Sequence, residues 1–189
     1  MPRRPDPDLE NKILDAAQRL WKKGGESSLT MRAVARAAGT NTPAVYRRFR
    51  DRDDVLRALL QRIRLEMAAA LRDAPSAEEG CAQYLDYALT HPHEYELFYR
   101  HNYDLFHSPR ARPAEREPVV YPGRDAMRRK LQEELGDSPD RHEALVVALW
   151  MVTHGTATLL ISKSILPENA AAARTAFREA VRTMLRHAA

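Results

Sequence analysis

Cys81 is the only cysteine among 189 residues, so no disulfide can form within the chain and a disulfide-stapled secreted scaffold is excluded. Cys81 itself reads either as a small buried hydrophobe on a helix or as a redox-sensing thiol. The sequence has no Gly-rich phosphate loop, no nucleophile elbow and no paired carboxylates in a recognisable setting, so an enzyme reading has nothing to rest on. The opening MPRRPDPDLENK lacks the apolar core of a signal peptide. No stretch reads as the ~18–20 apolar residues of a membrane span. These absences place the expected protein in the cytoplasm, with no membrane partner. Strand patterns and internal repeats are also missing, which leaves an all-α fold of about nine helices.

The positive charge is concentrated in one part of the chain. Up to Arg52 there are 12 Lys and Arg against 6 Asp and Glu, a net of +6, whereas the remainder has a net of −2. A generally basic surface would spread more evenly. The bias points to an N-terminal part that attracts phosphates. Residues 1–7 are Pro- and charge-rich and read as a mobile arm, whose Arg3 and Arg4 are either simply disordered or reach a minor groove. A first helix is expected from about Asp8 to Lys23, with Ile13, Leu14, Ala17, Leu20 and Trp21 as its apolar stripe and Gly24-Gly25 as its end.

The segment LTMRAVARAAGTNTPAVYRRFRDRDD, Leu29 to Asp54, holds two short helical patterns around a glycine turn. Thr30 is placed to cap the first, and Met31, Val34, Ala35 and Ala38 form its stripe. Gly39 supplies the left-handed conformation that ends it. Thr42 followed by Pro43 reads as a cap and first-turn proline that restart the helix. Val45 and Phe49, four residues apart, face inward, and the arginines are left outside. This is a helix-turn-helix, whose second helix has the size and charge to enter a major groove.

The runs Ala37-Ala38-Gly39, Thr42 to Phe49 and Arg52 to Leu56 resemble the N-terminal DNA-binding domain of the TetR family of repressors. One departure is Thr40-Asn41, where that family more often has Val-Ser. The resemblance implies a division at 52/53: residues 1–52 as a three-helix DNA-binding domain, 53–189 as a helical ligand-binding and dimerisation domain. It implies that Thr30, Tyr46, Arg48 and Arg52 hold phosphates. Arg32, Asn41, Thr42, Pro43, Ala44 and Arg47 are expected to meet base edges or thymine methyls, with Arg32 and Arg47 as guanine readers.

The remaining chain reads as helices at about 51–73, 77–90, 93–106, 125–135, 140–163 and 169–187. Asp51 caps the first of these and Ser138 the fifth. Residues 107–123, rich in proline and charge, form a long exposed connection that is either disordered or a lid. Trp150 and His154 lie four apart and Gly155 follows, resembling the Trp-x-x-x-His-Gly signature of one TetR-like C-terminal domain type. Either Trp150 and His154 line an inducer cavity, or both pack in the core and Gly155 lets another backbone approach. Tyr84, Tyr87, Phe98, Tyr99 and Tyr103 are further candidates for ligand contact. His91, His93, His101 and His107 lie near Glu94, Glu96 and Asp104, but their spacing matches no metal-ligand pattern; no metal and no cofactor are expected.

In TetR-like proteins the two last helices pair with their copies, and a homodimer is implied here; small side chains on both helices suit tight packing. The functional expectation is a homodimeric repressor on a palindromic operator, released by a small-molecule effector. The alternative is a DNA-binding regulator with no small-molecule inducer, controlled by a protein partner or constitutive.

Overall fold

The computed structural model describes residues 8–106, 122–136 and 142–188. Among them are nine α-helices and no strand: α1 (Leu9–Ser28), α2 (Met31–Ala37), α3 (Thr42–Tyr46), α4 (Arg52–Asp73), α5 (Ala77–Thr90), α6 (Pro92–Phe106), α7 (Pro122–Leu135), α8 (Glu143–Ile161) and α9 (Ala170–Ala188), with a 3-10 turn at Pro167–Asn169. The N-terminal arm, the 107–121 connection and Ser138 lie outside the described residues. The chain divides into two compact units, with a border inside α4 between Ile63 and Arg64.

The first unit holds α1, α2, α3, the N-terminal part of α4 and, from His93, α6. Of the expected stripes, Ile13, Ala17 and Trp21 of α1 and Met31, Val34 and Ala35 of α2 are buried, Leu14, Leu20 and Ala38 are half-buried, and Ala16 joins the core with Val55, Leu56, Leu59, Leu60 and Ile63 of α4. The α1 helix breaks at the foreseen glycines. Gly24 and Gly25 leave helical geometry, Gly25 at φ 57°, before the chain turns once more to Ser28. The Thr30 hydroxyl accepts from the Ala33 N–H at 3.1 Å, and Asp51 caps α4 by accepting from the Asp54 N–H at 2.8 Å. Each such cap satisfies a donor that the helix start leaves open and stabilises it by about 1 kcal/mol.

Gly39 stands at φ 67° with no atom within 4 Å of where a Cβ would sit. The position is therefore restricted by backbone conformation and not by space. Gly39→Ala is expected to cost about 1–2 kcal/mol, the left-handed penalty of an L side chain, and a thermal melt should show a lowered Tm. An unchanged Tm would mean that the turn relaxes without strain.

The second unit is a helical cluster in which α8 packs on α5 and α9, with α7 alongside α5 and α8. Its buried positions include Cys81 and Leu85 of α5, Leu131 of α7, Val146, Leu149 and Ala157 of α8, and Phe177 and Val181 of α9. The Ser76 hydroxyl caps α5 through the Glu79 N–H at 3.1 Å. Arginines at every fourth position of α9 reach acids of α5: Arg174 pairs with Asp86, Arg178 lies near Glu78 and Glu79, and Arg182 Nε is 2.8 Å from Glu78 Oε1. Arg128 and Arg124 both pair with Glu143; the Arg128 hydrogen bond chiefly holds that carboxyl below its ordinary range.

Contrary to the sequence expectation, α8 is long and apolar enough, by length and composition, to cross a membrane. Its polar positions are what the residue count of apolar runs obscured: the Thr153 and Thr156 hydroxyls turn back on the Leu149 and Val152 carbonyls at 2.7 and 2.8 Å, which removes their demand for water. The helix is packed on one side within its unit.

Cys81 is buried, and burial above all pushes its thiol up to about 12; a hydrogen bond with Thr153 pulls the other way, and Glu134 and Glu78 add to the rise. Thiolate is the reactive form. The native protein at pH 8 should therefore resist a thiol-alkylating reagent and be modified only once unfolded. Rapid modification of the native chain would revive the redox reading.

Candidate nucleic-acid interface

The helix-turn-helix is built by α2 and α3, which pack on one another. Val45 and Phe49 turn inward as their spacing demands. The α3 cap is Asn41, not Thr42: the Asn41 Oδ1 accepts from the Ala44 N–H at 2.9 Å, which makes Thr42 and Pro43 the first two helical residues. Asn is the stronger cap, and proline is tolerated in the first turn because its missing N–H has no partner there. Asn41 thus uses its side-chain oxygen internally and keeps only its amide for other contacts.

Thr30, Arg32, Asn41, Pro43, Tyr46, Arg47 and Arg48 are all exposed, and Thr42 and Arg52 are half-buried. Tyr46 is 52 % exposed, large for an aromatic ring. Ala44, expected among the base-contacting residues, is instead buried, because it sits beside Val45 on the inner edge of α3. Arg52 faces inward with its donors: Nε donates to the Leu29 carbonyl at 2.9 Å and Nη2 to the Glu26 carbonyl at 3.1 Å, with Glu26 Oε1 at 3.2 Å. That geometry makes Arg52 a brace between the start of α4 and the segment leading into α2. Sequence reasoning missed this role, since an arginine beside a basic helix reads as a phosphate ligand and its carbonyl partners are 23 and 26 positions away.

Asp54 supports the same corner. Burial by itself raises its carboxyl, but the Arg50 N–H, the Arg50 side chain and Arg57 together outweigh burial and hold it below the ordinary range. It stays charged, pairing with Arg50 and Arg57 at 3.4 and 3.2 Å.

The candidate effector residues fall in both units. Tyr84 and Tyr87 of α5 are half-buried, and Tyr87 meets His91 edge-on with ring centres 4.9 Å apart. Phe98 and Tyr99 of α6 belong to the first unit, where Tyr99 also packs on the buried Tyr95 at 4.6 Å. The Tyr103 side chain lies outside the described residues. Trp150 is 48 % exposed and stacks in parallel on His154, with ring centres 5.7 Å apart. Burial keeps His154 below its ordinary pKa, so it is neutral at pH 7. The structure thus brings Trp150 and His154 together, but at the surface of the unit and not in its core. Gly155, expected at a close helix crossing, has no atom within 4 Å of where a Cβ would sit. Among the described residues no cluster of His, Cys, Asp or Glu could hold a metal ion.

A short capped helix that ends in two exposed arginines, joined through α4 to a separate helical unit, defines a helix-turn-helix DNA-binding protein with an accessory helical unit. Residues 13–59 match the bacterial regulatory proteins of the tetR family, and residues 77–184 match the tetracyclin repressor-like C-terminal domain. The chain belongs to the TetR family of transcriptional regulators. The second match carries the general description and not the Trp-x-x-x-His-Gly type.

Solved structures share the fold. A protein of unknown function from Rhodococcus sp. RHA1 is 24 % identical over 98 % of this chain and 97 % of its own, with a TM-score of 0.72. A tetR-family transcriptional regulator from Streptomyces coelicolor is 19 % identical over 97 % and 89 %, with a TM-score of 0.67. A TetR variant from Acinetobacter baumannii AYE in complex with minocycline is 18 % identical over 97 % and 96 %, with a TM-score of 0.62. No curated protein matches the sequence.

Proposed function

We propose that this regulator is a homodimeric repressor that binds a palindromic operator and leaves it when a small molecule binds the 53–189 part. The observation that carries the reading is the apolar stripe along α8. Val147, Trp150, Met151 and Leu159 are 37, 48, 61 and 46 % exposed, and with His154 and Thr158 they recur at the spacing of one helical face. A soluble chain rarely leaves such a row uncovered. The open space at Gly155 lets a second helix approach the same stretch. A two-fold pair of reading heads then meets half-sites ~34–36 Å apart, or a multiple of that, which a single head cannot do.

In this reading Arg47 and Arg32 contact base edges, Arg48, Tyr46 and Thr30 contact phosphates, and Arg52 acts by bracing. The effector-bound state prefers a half-site spacing that the operator does not offer, and linkage makes each ligand weaken the other by the same factor. The α4 helix carries the shift. The minocycline in the Acinetobacter structure supports a small-molecule effector. Trp150 and His154 serve the α8 seam, and within the second unit Tyr84 and Tyr87 are the aromatic candidates for contact with the effector.

Selection of bound sequences from random duplex DNA, with a salt titration on the best one, tests the reading. A palindrome bound at submicromolar affinity by a dimer supports it; only weak, sequence-independent binding would sink it.

A further inference from the structure

The α6 helix is fastened to α1 by polar groups. Glu94, wholly buried, accepts from Gln18 Nε2 at 2.9 Å and lies 3.5 Å from Lys22 Nζ. The His93 carbonyl accepts from Trp21 Nε1, and its ring covers the break in α1, with Nδ1 3.2 Å from where a Gly25 Cβ would stand. Two turns after Glu94, His101 meets Trp21 edge-on at 5.9 Å and brings Nε2 to 3.4 Å from Glu26 Oε2. Glu26 Oε1 is 3.2 Å from Arg52 Nη2. One carboxylate therefore touches both α6 and the arginine that braces the reading head.

A seam built for strength alone would be apolar. Buried charges seldom add net stability, and their best-attested use is to fix register or to bias a switch. Here Glu94 sets the register of α6 on α1, and that register carries His101 to Glu26.

We propose that Glu26 and His101 are positioning residues: through them the seat of α6 sets the posture of the segment that leads into the Thr30 cap. With His101 in place, Glu26 is shared between two cationic or donor groups, and Arg52 keeps the Glu26 and Leu29 carbonyls. When α6 moves away, Glu26 loses one partner, and the segment from Glu26 to Thr30 loosens. The consequence for operator affinity rests on the DNA-binding reading above; the loosening itself does not.

The test uses the full chain, with Glu26→Gln, His101→Gln and their combination. Asp15→Asn serves as a control, because it breaks the Arg62–Asp15 ion pair in the same unit without touching Arg52. Amide hydrogen exchange reads the segment directly, and affinity for the selected duplex reads its effect. Each single variant should speed exchange at residues 28–34 about tenfold and weaken the duplex about tenfold. The combination should be no worse than Glu26→Gln alone, since that variant already cuts the link to His101. The control should leave both readouts unchanged. Unchanged exchange in the single variants, or additive losses in the combination, would overturn the latch. If no duplex is selected, the operator reading falls, and exchange alone then decides for or against the latch.

Discussion

Changing Arg47 and Arg48 together to alanine should weaken operator binding at least about 100-fold, near 3 kcal/mol. The size follows from the two contacts expected. A bidentate arginine on guanine contributes about 1–3 kcal/mol of discrimination, and each phosphate contact adds a salt-dependent share. The salt slope should shrink by roughly one with the loss of a phosphate partner, and sequence preference at one position of each half-site should relax. Arg47 closes α3 and Arg48 follows it in an exposed turn, so neither substitution touches the buried Val45–Phe49 edge. The far-ultraviolet circular dichroism and Tm should stay close to the parent. Fluorescence anisotropy on the selected duplex measures the effect. Retained affinity with a retained slope would mean that α3 is not the reading helix.

The second large effect concerns assembly. Met151→Lys with Trp150→Glu places charges in the middle of the α8 stripe, where a partner helix would have to desolvate them. The expected result is a monomer of 21.5 kDa by size exclusion with light scattering, against an expected twice that mass for the parent. Operator affinity should fall at least about 100-fold, because two linked half-site contacts become one. Both positions are exposed within the chain, so folding of the monomer is not at stake. A parent that is already monomeric, or a variant that still dimerises, would show that the stripe has another occupant.

The local rules of the sequence were legible because they depend on neighbours only a few residues away. Thr30 and Asp51 cap the helices that follow them, Gly39 takes the left-handed turn, and the α4 stripe of Val55, Leu59, Ile63, Met67 and Leu71 is buried as its period requires. Where two good caps stand side by side, as Asn41 and Thr42 do, sequence alone leaves the phase of the helix ambiguous by one residue. The phase decides that Ala44 turns inward.

Other features depend on partners far away in the chain. Glu94 looks like an ordinary first-turn acid, and its burial is made tolerable by groups far back in the chain, Gln18, 76 positions earlier, and Lys22. Along α8 the side chains are apolar almost all round, so periodicity gives no clue to which face α5 and α9 cover. Trp150 could therefore be read as cavity or core, and its exposure within the single chain excludes the core.

The return of α6 to the first unit has a consequence for modularity. A chain cut after α4 would carry the helix-turn-helix intact, yet Trp21 would lose its carbonyl acceptor and Gln18 its carboxylate partner. The reading head is assembled from two stretches of sequence with α5 between them. A chimera that grafts it onto a relative's effector unit therefore needs a crossover on each side of α5 and a third after α6. A single crossover within α4 would join each head to a helix that its α1 was not shaped to hold.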